Sequence, residues 1–389
     1  MVSISLDTNI FFYFKRNNMT THVFIVNENS FPIHLQYLFA GTGAGEKEEH
    51  MGLLADIRRT RPGDNVIFYL ERVGFYGIFK VADEPKYVFV DDNSPTYLEN
   101  DLKKKLIYRV KITPHEVYPN GISEWEALDK LPLYAQDVIW SLIYRKLKGN
   151  RGCTPITLDE SERLIQMIKS KNKKPLARLL ENQSYSWDKD NTEIKIVNQK
   201  FNYTGRRSGG PDLMGEMIKR DKKRRAFEDV LQAYFTGNVG CDKKLDKITG
   251  TKEQIIWLGN EVACGVGMQK IDIFTITSDE RNNREFRIVE LKDESLYPAI
   301  LNQVWRYVNW TASYLKGAIN SNIQPIVIAK AVERKTKYNT NPKPTKEWKD
   351  REATFEAIKK FNSLNLAKLV KIFEYHFEDT NIFFEEVKY

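Results

Sequence analysis

The chain has 389 residues, 41% of them hydrophobic, with a formal net charge of +8 and a pI near 9.0. That length provides for two or three domains with cores of their own, and the moderate positive balance favours an anionic partner held on a local surface. No run of about 18 apolar residues occurs, so no membrane span is expected. Cys153, Cys241 and Cys264 are far apart and lack C-x-x-C spacing. This disfavours a zinc knuckle or a disulfide framework and fits a reducing cytoplasm. Five histidines (His22, His34, His50, His115, His376) show no H-x-x-x-H grouping, which disfavours a histidine-bound metal.

Residues 1–20 read as a short extension: charge, not a small-residue cleavage site, follows the apolar run 10–14. Residues 21–173 form one unit. Apolar runs at 22–26, 66–70, 75–81, 86–90 and 108–112 are divided by turn signals at 61–65 and around Gly74, with a short helix at 49–59. Such spacing predicts a small β-barrel with flanking helices. Helical periodicity over 137–147 runs into a basic glycine loop at 148–154. Arg145, Lys146, Lys148 and Arg151 read there equally as phosphate-holding cations or as the cations and glycine stop of a helix C-terminus. Residues 159–173 read as an amphipathic helix with Leu164, Ile165 and Ile168 inward.

Residues 174–215, rich in Asn, Ser, Lys and Gly, are the best linker candidate, and Arg206 and Arg207 lie in its most irregular part. From Lys200 to Arg225 nine Lys or Arg stand against three acids, a net of +6. That stretch suits a phosphate backbone, with a solvated basic linker as the alternative.

The second unit, 216–389, contains the most informative pattern. Apolar runs at 271–276 and 286–292 flank a polar turn at 277–285 and read as a hairpin. Side chains alternate along a strand, so Glu290 and Lys292 share a face with Leu291 opposite. Two carboxylates, Asp272 and Glu290, beside an ammonium are costly unless a further charge offsets them. Mg²⁺ would do so, because it takes oxygen ligands and commonly uses one or two carboxylates plus a phosphate. A helix at 299–308 carries Gln303 and Tyr307 four apart, on one face. A helix at 225–231 and a strand at 255–262 precede the hairpin; a strand at 325–329, a helix at 353–364 and a strand at 369–375 follow. The expected fold is therefore a multidomain α+β or α/β protein, its second unit a mixed sheet flanked by helices.

The arrangement Asp272…Glu290-x-Lys292 resembles the PD-(D/E)XK, or restriction-endonuclease-like, superfamily, although Lys270 and Ile271 stand where a Pro usually precedes the Asp. The Gln303-x-x-x-Tyr307 helix resembles its RecB-like branch, and Glu228 matches the family's helix carboxylate. The resemblance implies Mg²⁺, with Mn²⁺ as a substitute, held by Asp272, Glu290 and the Leu291 carbonyl. It also implies a Lys292 that positions water or stabilises the anion, a further ligand from Glu228 or Glu261, and orienting roles for Gln303 and Tyr307. In the first unit, Pro62-Gly63-Asp64-Asn65 before 66–69 and Gly77 before 78–81 resemble the EVE-type branch of PUA-like domains. That resemblance implies a nucleic-acid partner, including modified bases in some members. Tyr69, Phe75, Tyr76, Tyr118 and Trp125 would then be stacking faces, the alternative being that such aromatics are core.

Together these imply a Mg²⁺-dependent DNA endonuclease of restriction or defence type that reads modified DNA. A structure- or single-strand-specific repair nuclease and a noncatalytic nucleic-acid-binding protein are the alternatives. Two-strand cleavage usually needs two such sites, which points to a homodimer.

Overall fold

The first unit is built on a half-barrel sheet. In the computed structural model, which describes residues 20–43, 51–82, 90–91, 97–127, 152–205, 211–264, 269–334 and 344–389, the strands are β1 (Thr21–Val26), β2 (Phe39–Thr42), β3 (Asn65–Leu70), β4 (Gly74–Val81), β5 (Val90–Asp91), β6 (Tyr108–Pro114), β7 (Ile122–Ser123) and β8 (Cys153–Ile156). The order is β2-β6-β4-β3-β1-β8, with β5 on β6 and β7 on β4. Among the described residues of this unit only β1 and β3 pair in parallel. Among the described residues β2 and β8 end the path without pairing to each other, so the sheet is a half-barrel where a closed barrel was expected. Strand number and turn spacing do not specify closure, which is why the sequence pointed to a barrel.

Helices α1 (Ser30–Tyr37) and α2 (Met51–Arg58) lie between β1 and β3, followed by α3 (Glu99–Leu102) and α4 (Leu158–Lys171). Helix α4 starts on a capping box: Glu160 N–H donates to Thr157 Oγ1 at 3.4 Å and Thr157 N–H to Glu160 Oε2 at 2.9 Å, a pairing that satisfies two orphan donors. Pro62 and Gly63 turn the chain into β3, with Gly63 at φ +86° and Asp64 N–H donating to the Arg61 carbonyl at 3.0 Å. Glycine adopts that angle at no steric cost. Asp64 then accepts from Arg61 N–H at 2.8 Å and sits 2.8 Å from His22 Nε2.

The 174–215 stretch is not simply a linker. It contains an antiparallel hairpin, β9 (Ser184–Asp188) and β10 (Glu193–Val197). Tyr185, Trp187, Ile194 and Ile196 alternate along it, and the Trp187 ring stands 5.2 Å from Phe31 on α1 and 4.9 Å from Tyr76 on β4. The polar residues that suggested a linker form the 188–192 turn and the outer face.

The second unit has helices α5 (Leu213–Lys222), α6 (Glu228–Asn238), α7 (Asp246–Thr249), α8 (Ile300–Tyr314) and α9 (Lys346–Asn362). Its strands β11 (Ile255–Cys264), β12 (Gln269–Ser278), β13 (Arg284–Leu291), β14 (Ile323–Lys330), β15 (Lys371–Glu378) and β16 (Asn381–Val387) pair in chain order. The central pairs β13/β14 and β14/β15 are parallel, crossed over by α8 and α9; the outer pairs are antiparallel. One sheet face, with Phe274, Ile276, Phe286 and Ile288, forms a core with Val304 and Val308 of α8 and Ile358 of α9. The other, with Ile273, Val289 and Leu291, shares a core with Val230 and Leu231 of α6 and with Leu54 and Ile57 of α2. That second core joins the two units.

Polar contacts cross the same boundary. Arg61 donates to the Thr236 and Val239 carbonyls, each at 2.8 Å, and so closes the C-terminal end of α6, where cations are favoured. Trp257 Nε1 donates to the Ile156 carbonyl at 2.8 Å. Among the described residues no helix is long and apolar enough to cross a membrane.

His34 is fully buried on α1, with Nδ1 donating to the Phe39 carbonyl at 3.0 Å. Burial, with Lys104 and Arg109 adding repulsion, pushes its pKa down to about 3. A base depressed in the fold contributes stability that is intact above its unfolded pKa and is lost as pH falls toward the folded value. Urea midpoints should therefore fall between pH 6.5 and about 3, and His34→Leu should flatten that slope whatever it does to stability at pH 7. Parallel pH profiles for the two proteins would refute the assignment.

Candidate active site

The β12/β13 ladder runs from Ser278↔Arg284 to Ile273↔Val289 and stops there. Just beyond it, Leu291 N–H donates to the Asp272 side chain, Oδ2, at 2.8 Å. Asp272 thus takes the place of a backbone acceptor where the strands part. Lys292 N–H turns the other way, to the Ile328 carbonyl at 2.8 Å. N–H and C=O of one strand residue leave by the same edge, so the Leu291 carbonyl faces the Asp272 gap.

Glu290 projects on the α8 face, as the alternation requires, and is 1% exposed. Its Oε1 lies 2.8 Å from Lys292 Nζ, while its Oε2 has no hydrogen-bond partner. Lys292 Nζ also reaches Glu228 Oε2, at 3.2 Å, from the first turn of α6. That turn is held to the end of β13 by Phe227 N–H, which donates to Asp293 Oδ2 at 2.6 Å.

Three carboxylates therefore gather around one ammonium. Burial, then Glu290 and Glu228, push Asp272 well above the ordinary aspartate range, against the pull of Lys292 and the Leu291 N–H. Burial likewise raises Glu228, with Lys292 opposing. Burial works against the Lys292 charge, but Glu290 and Asp272 outweigh it and hold the ammonium above the ordinary lysine value. Lys292 is thus a fixed cation in this arrangement and has no free pair with which to take a proton.

Of the α8 pair, Tyr307 is buried and its hydroxyl donates to the Lys270 carbonyl at 2.7 Å, two residues before Asp272; burial and then Glu290 raise its pKa. Gln303 stands one turn earlier, half-buried. Glu261 pairs with Lys270 at 2.6 Å, so it is Glu228 that the fold brings to Lys292.

Among the described residues no three His, Cys, Asp or Glu side chains form a metal cluster. Mg²⁺ does not need three: one or two carboxylates with waters and a phosphate suffice. Asp272, Glu290 with its orphaned buried oxygen, and the Leu291 carbonyl fit such an ion. It would also relieve the excess negative charge.

Four of the five aromatics read as stacking faces are core. Tyr76 packs on Phe31 at 5.5 Å and Tyr69 on Phe75 at 4.9 Å, and Tyr118 is buried in the same cluster as these last two. Rings in so small a sheet are the chief apolar filling. Trp125 alone is open, at 73% exposure. Arg145, Lys146, Lys148, Arg151, Arg206 and Arg207 lie outside the described residues, as do the 137–147 helix and most of the 86–90 strand.

Sequence reasoning missed a second layer behind Asp272. Gln232 Nε2 contacts the Asp272 carbonyl at 3.4 Å, and Asn260 Nδ2 donates to Gln232 Oε1 at 3.2 Å and to Asp56 Oδ1 at 2.9 Å. Arg59 bonds Asp56 at 2.9 Å and also donates to Asn260 Oδ1. All of these but Asp272 are buried. One signal was available: Asn260 is a polar break in an apolar strand. Cys264 was also missed; its thiol, pushed up to about 12 by burial and then Glu290, borders the site and carried no motif.

No protein-family model matches the chain, and no curated protein matches it. Among solved structures, a hypothetical protein from Leishmania major is similar over 39% of this chain and 96% of that one, at 13% identity and a TM-score of 0.29. The human THYN1 protein in complex with 5-methylcytosine containing DNA is similar over 39% of this chain and 98% of that one, at 11% identity and a TM-score of 0.30. EndoMS is similar over 54% of this chain and 72% of that one, at 13% identity and a TM-score of 0.20.

Proposed function

We propose that this protein is a divalent-metal-dependent nuclease that hydrolyses phosphodiester bonds in DNA, with Asp272, Glu290 and Lys292 at its centre. The observation that carries the reading is the buried, unpartnered Glu290 Oε2 beside Asp272 and the Lys292 ammonium. Mg²⁺ or Mn²⁺ bound there would supply Lewis-acid polarisation of a phosphoryl oxygen and a more acidic water. Lys292 offers a fixed positive charge to the anion that develops at phosphorus. Glu228 holds Lys292 from the α6 side, and Tyr307 braces the start of β12. The finer reading is an endonuclease of restriction or defence type that prefers modified DNA.

Supercoiled plasmid, single-stranded circles, and phage DNA with plain, methylated or hydroxymethylated cytosine should be incubated with Mg²⁺, Mn²⁺ or EDTA. The expected result is metal-dependent nicking or linearisation, with modified DNA cut faster. Cutting confined to single strands or branched DNA would favour a repair nuclease. Binding without cutting in any metal, by wild-type protein, would leave a noncatalytic DNA-binding protein and end the nuclease reading.

A further inference from the structure

Helix α5 ends at Lys222, and three more cations, Lys223, Arg224 and Arg225, follow in its stop; all four are exposed. The carboxylates around them are already engaged. Glu216 pairs with Lys219 at 3.2 Å and Arg220 at 2.8 Å, Asp229 with Arg220 at 3.1 Å, and Asp221 with Lys330. Among the described residues none of the four terminal cations meets an acid.

The turn that carries them is firmly built. Lys223 N–H donates to the Arg220 carbonyl at 3.1 Å, Arg224 N–H to Asp221 at 2.9 Å, and Arg225 N–H to Arg220 at 2.9 Å. This is a Schellman stop, with Arg224 in its left-handed position at φ +51°. Glycine is the usual occupant there, and an arginine side chain at that angle is disfavoured by its own Cβ. The backbone gains nothing from Arg224, so the side chain is the feature to explain.

The turn also sits beside the candidate site. Arg225 precedes Glu228 by three residues, at most about 11 Å of chain, and Glu228 touches Lys292. A strand advances about 3.4 Å per nucleotide, so this reach corresponds to roughly three nucleotides. The acidic cluster itself repels a polyanion, so cations just outside it must hold the substrate. Guanidinium groups match phosphate in a bidentate fashion.

We propose that Lys222–Arg225 is a phosphate-backbone clamp that grips the DNA strand flanking the scissile bond. The inference rests on the nuclease reading of Asp272, Glu290 and Lys292 and extends it to how the strand is held.

The test measures binding of the full chain to a labelled 30-base-pair duplex by anisotropy in EDTA, from 50 to 300 mM salt. A Lys222→Gln, Lys223→Gln, Arg225→Gln triple variant should flatten the slope of log K against log salt by roughly 3, about 0.9 per lost contact. Arg224→Gly should weaken binding at least about fivefold yet melt at the same or a higher temperature, because glycine suits the turn. Equal affinity and slope in both variants would overturn the clamp, as would an acidic peptide displacing DNA as the tighter ligand. The outcomes separate the two readings. If wild-type protein cuts DNA and the variants bind as it does, the clamp fails while the nuclease stands. If wild-type protein cuts nothing but the slopes fall, the clamp is a DNA-binding surface and the nuclease reading fails.

Discussion

Asp272→Asn should lower metal-dependent cleavage by roughly three orders of magnitude while making the metal-free protein more stable. Asparagine keeps an oxygen for the Leu291 N–H, which Asp272 accepts at 2.8 Å, but removes a charge facing Glu290 and Glu228. The sign follows from the raised pKa of Asp272. A carboxyl raised in the fold holds its proton more tightly there than in the unfolded chain, so stability is lost as pH rises from the unfolded value through the folded one. Removing the charge should gain about 1 kcal/mol at pH 7, within the usual range for stabilising substitutions. Mg²⁺ should raise the melting temperature of the wild-type protein, because an ion that binds only the folded state stabilises it by mass action. That rise should be absent in Asp272→Asn and in Glu290→Gln. Cleavage retained by Asp272→Asn, or an undiminished Mg²⁺ shift, would remove Asp272 from the metal site.

Arg59→Leu should destabilise the whole chain by about 3–5 kcal/mol, the usual result of removing one partner of a buried ion pair. Arg59 and Asp56 side chains are both fully buried, 2.9 Å apart, and leucine would strand the Asp56 charge. Replacing both, Asp56→Asn with Arg59→Leu, should recover part of the loss. The effect should reach both units together, because Asn260 on β11 joins the same network and α2 shares a core with α6. A single unfolding transition, seen identically by tryptophan fluorescence and far-ultraviolet dichroism, is expected. Two separated transitions, with Arg59→Leu shifting only the first, would show that the units are independent.

Short-range periodicity made the centre of the site legible. Alternation along 286–292 puts Glu290 and Lys292 on one face whatever surrounds them, and the hairpin brings Asp272 opposite; both are properties of a strand and its turn. The helix that carries Gln303 and Tyr307 was legible for the same reason, with its period of 3.6. Neighbours from distant parts of the chain were decided only by the tertiary structure. Lys292 meets Glu228, 64 positions away, while the nearer Glu261 is drawn to Lys270. Arg59 reaches Asn260 across 201 positions, and no local pattern encodes such a pair. Tyr69, Phe75, Tyr76 and Tyr118 have the same rings whether they stack on a base or fill a core, and only the elements packed over them show that they are buried. The pKa of Asp272 depends likewise on burial and on charges supplied by other elements. Covalent geometry and side-chain period act over a few residues, whereas desolvation and pairing depend on what the rest of the chain places nearby.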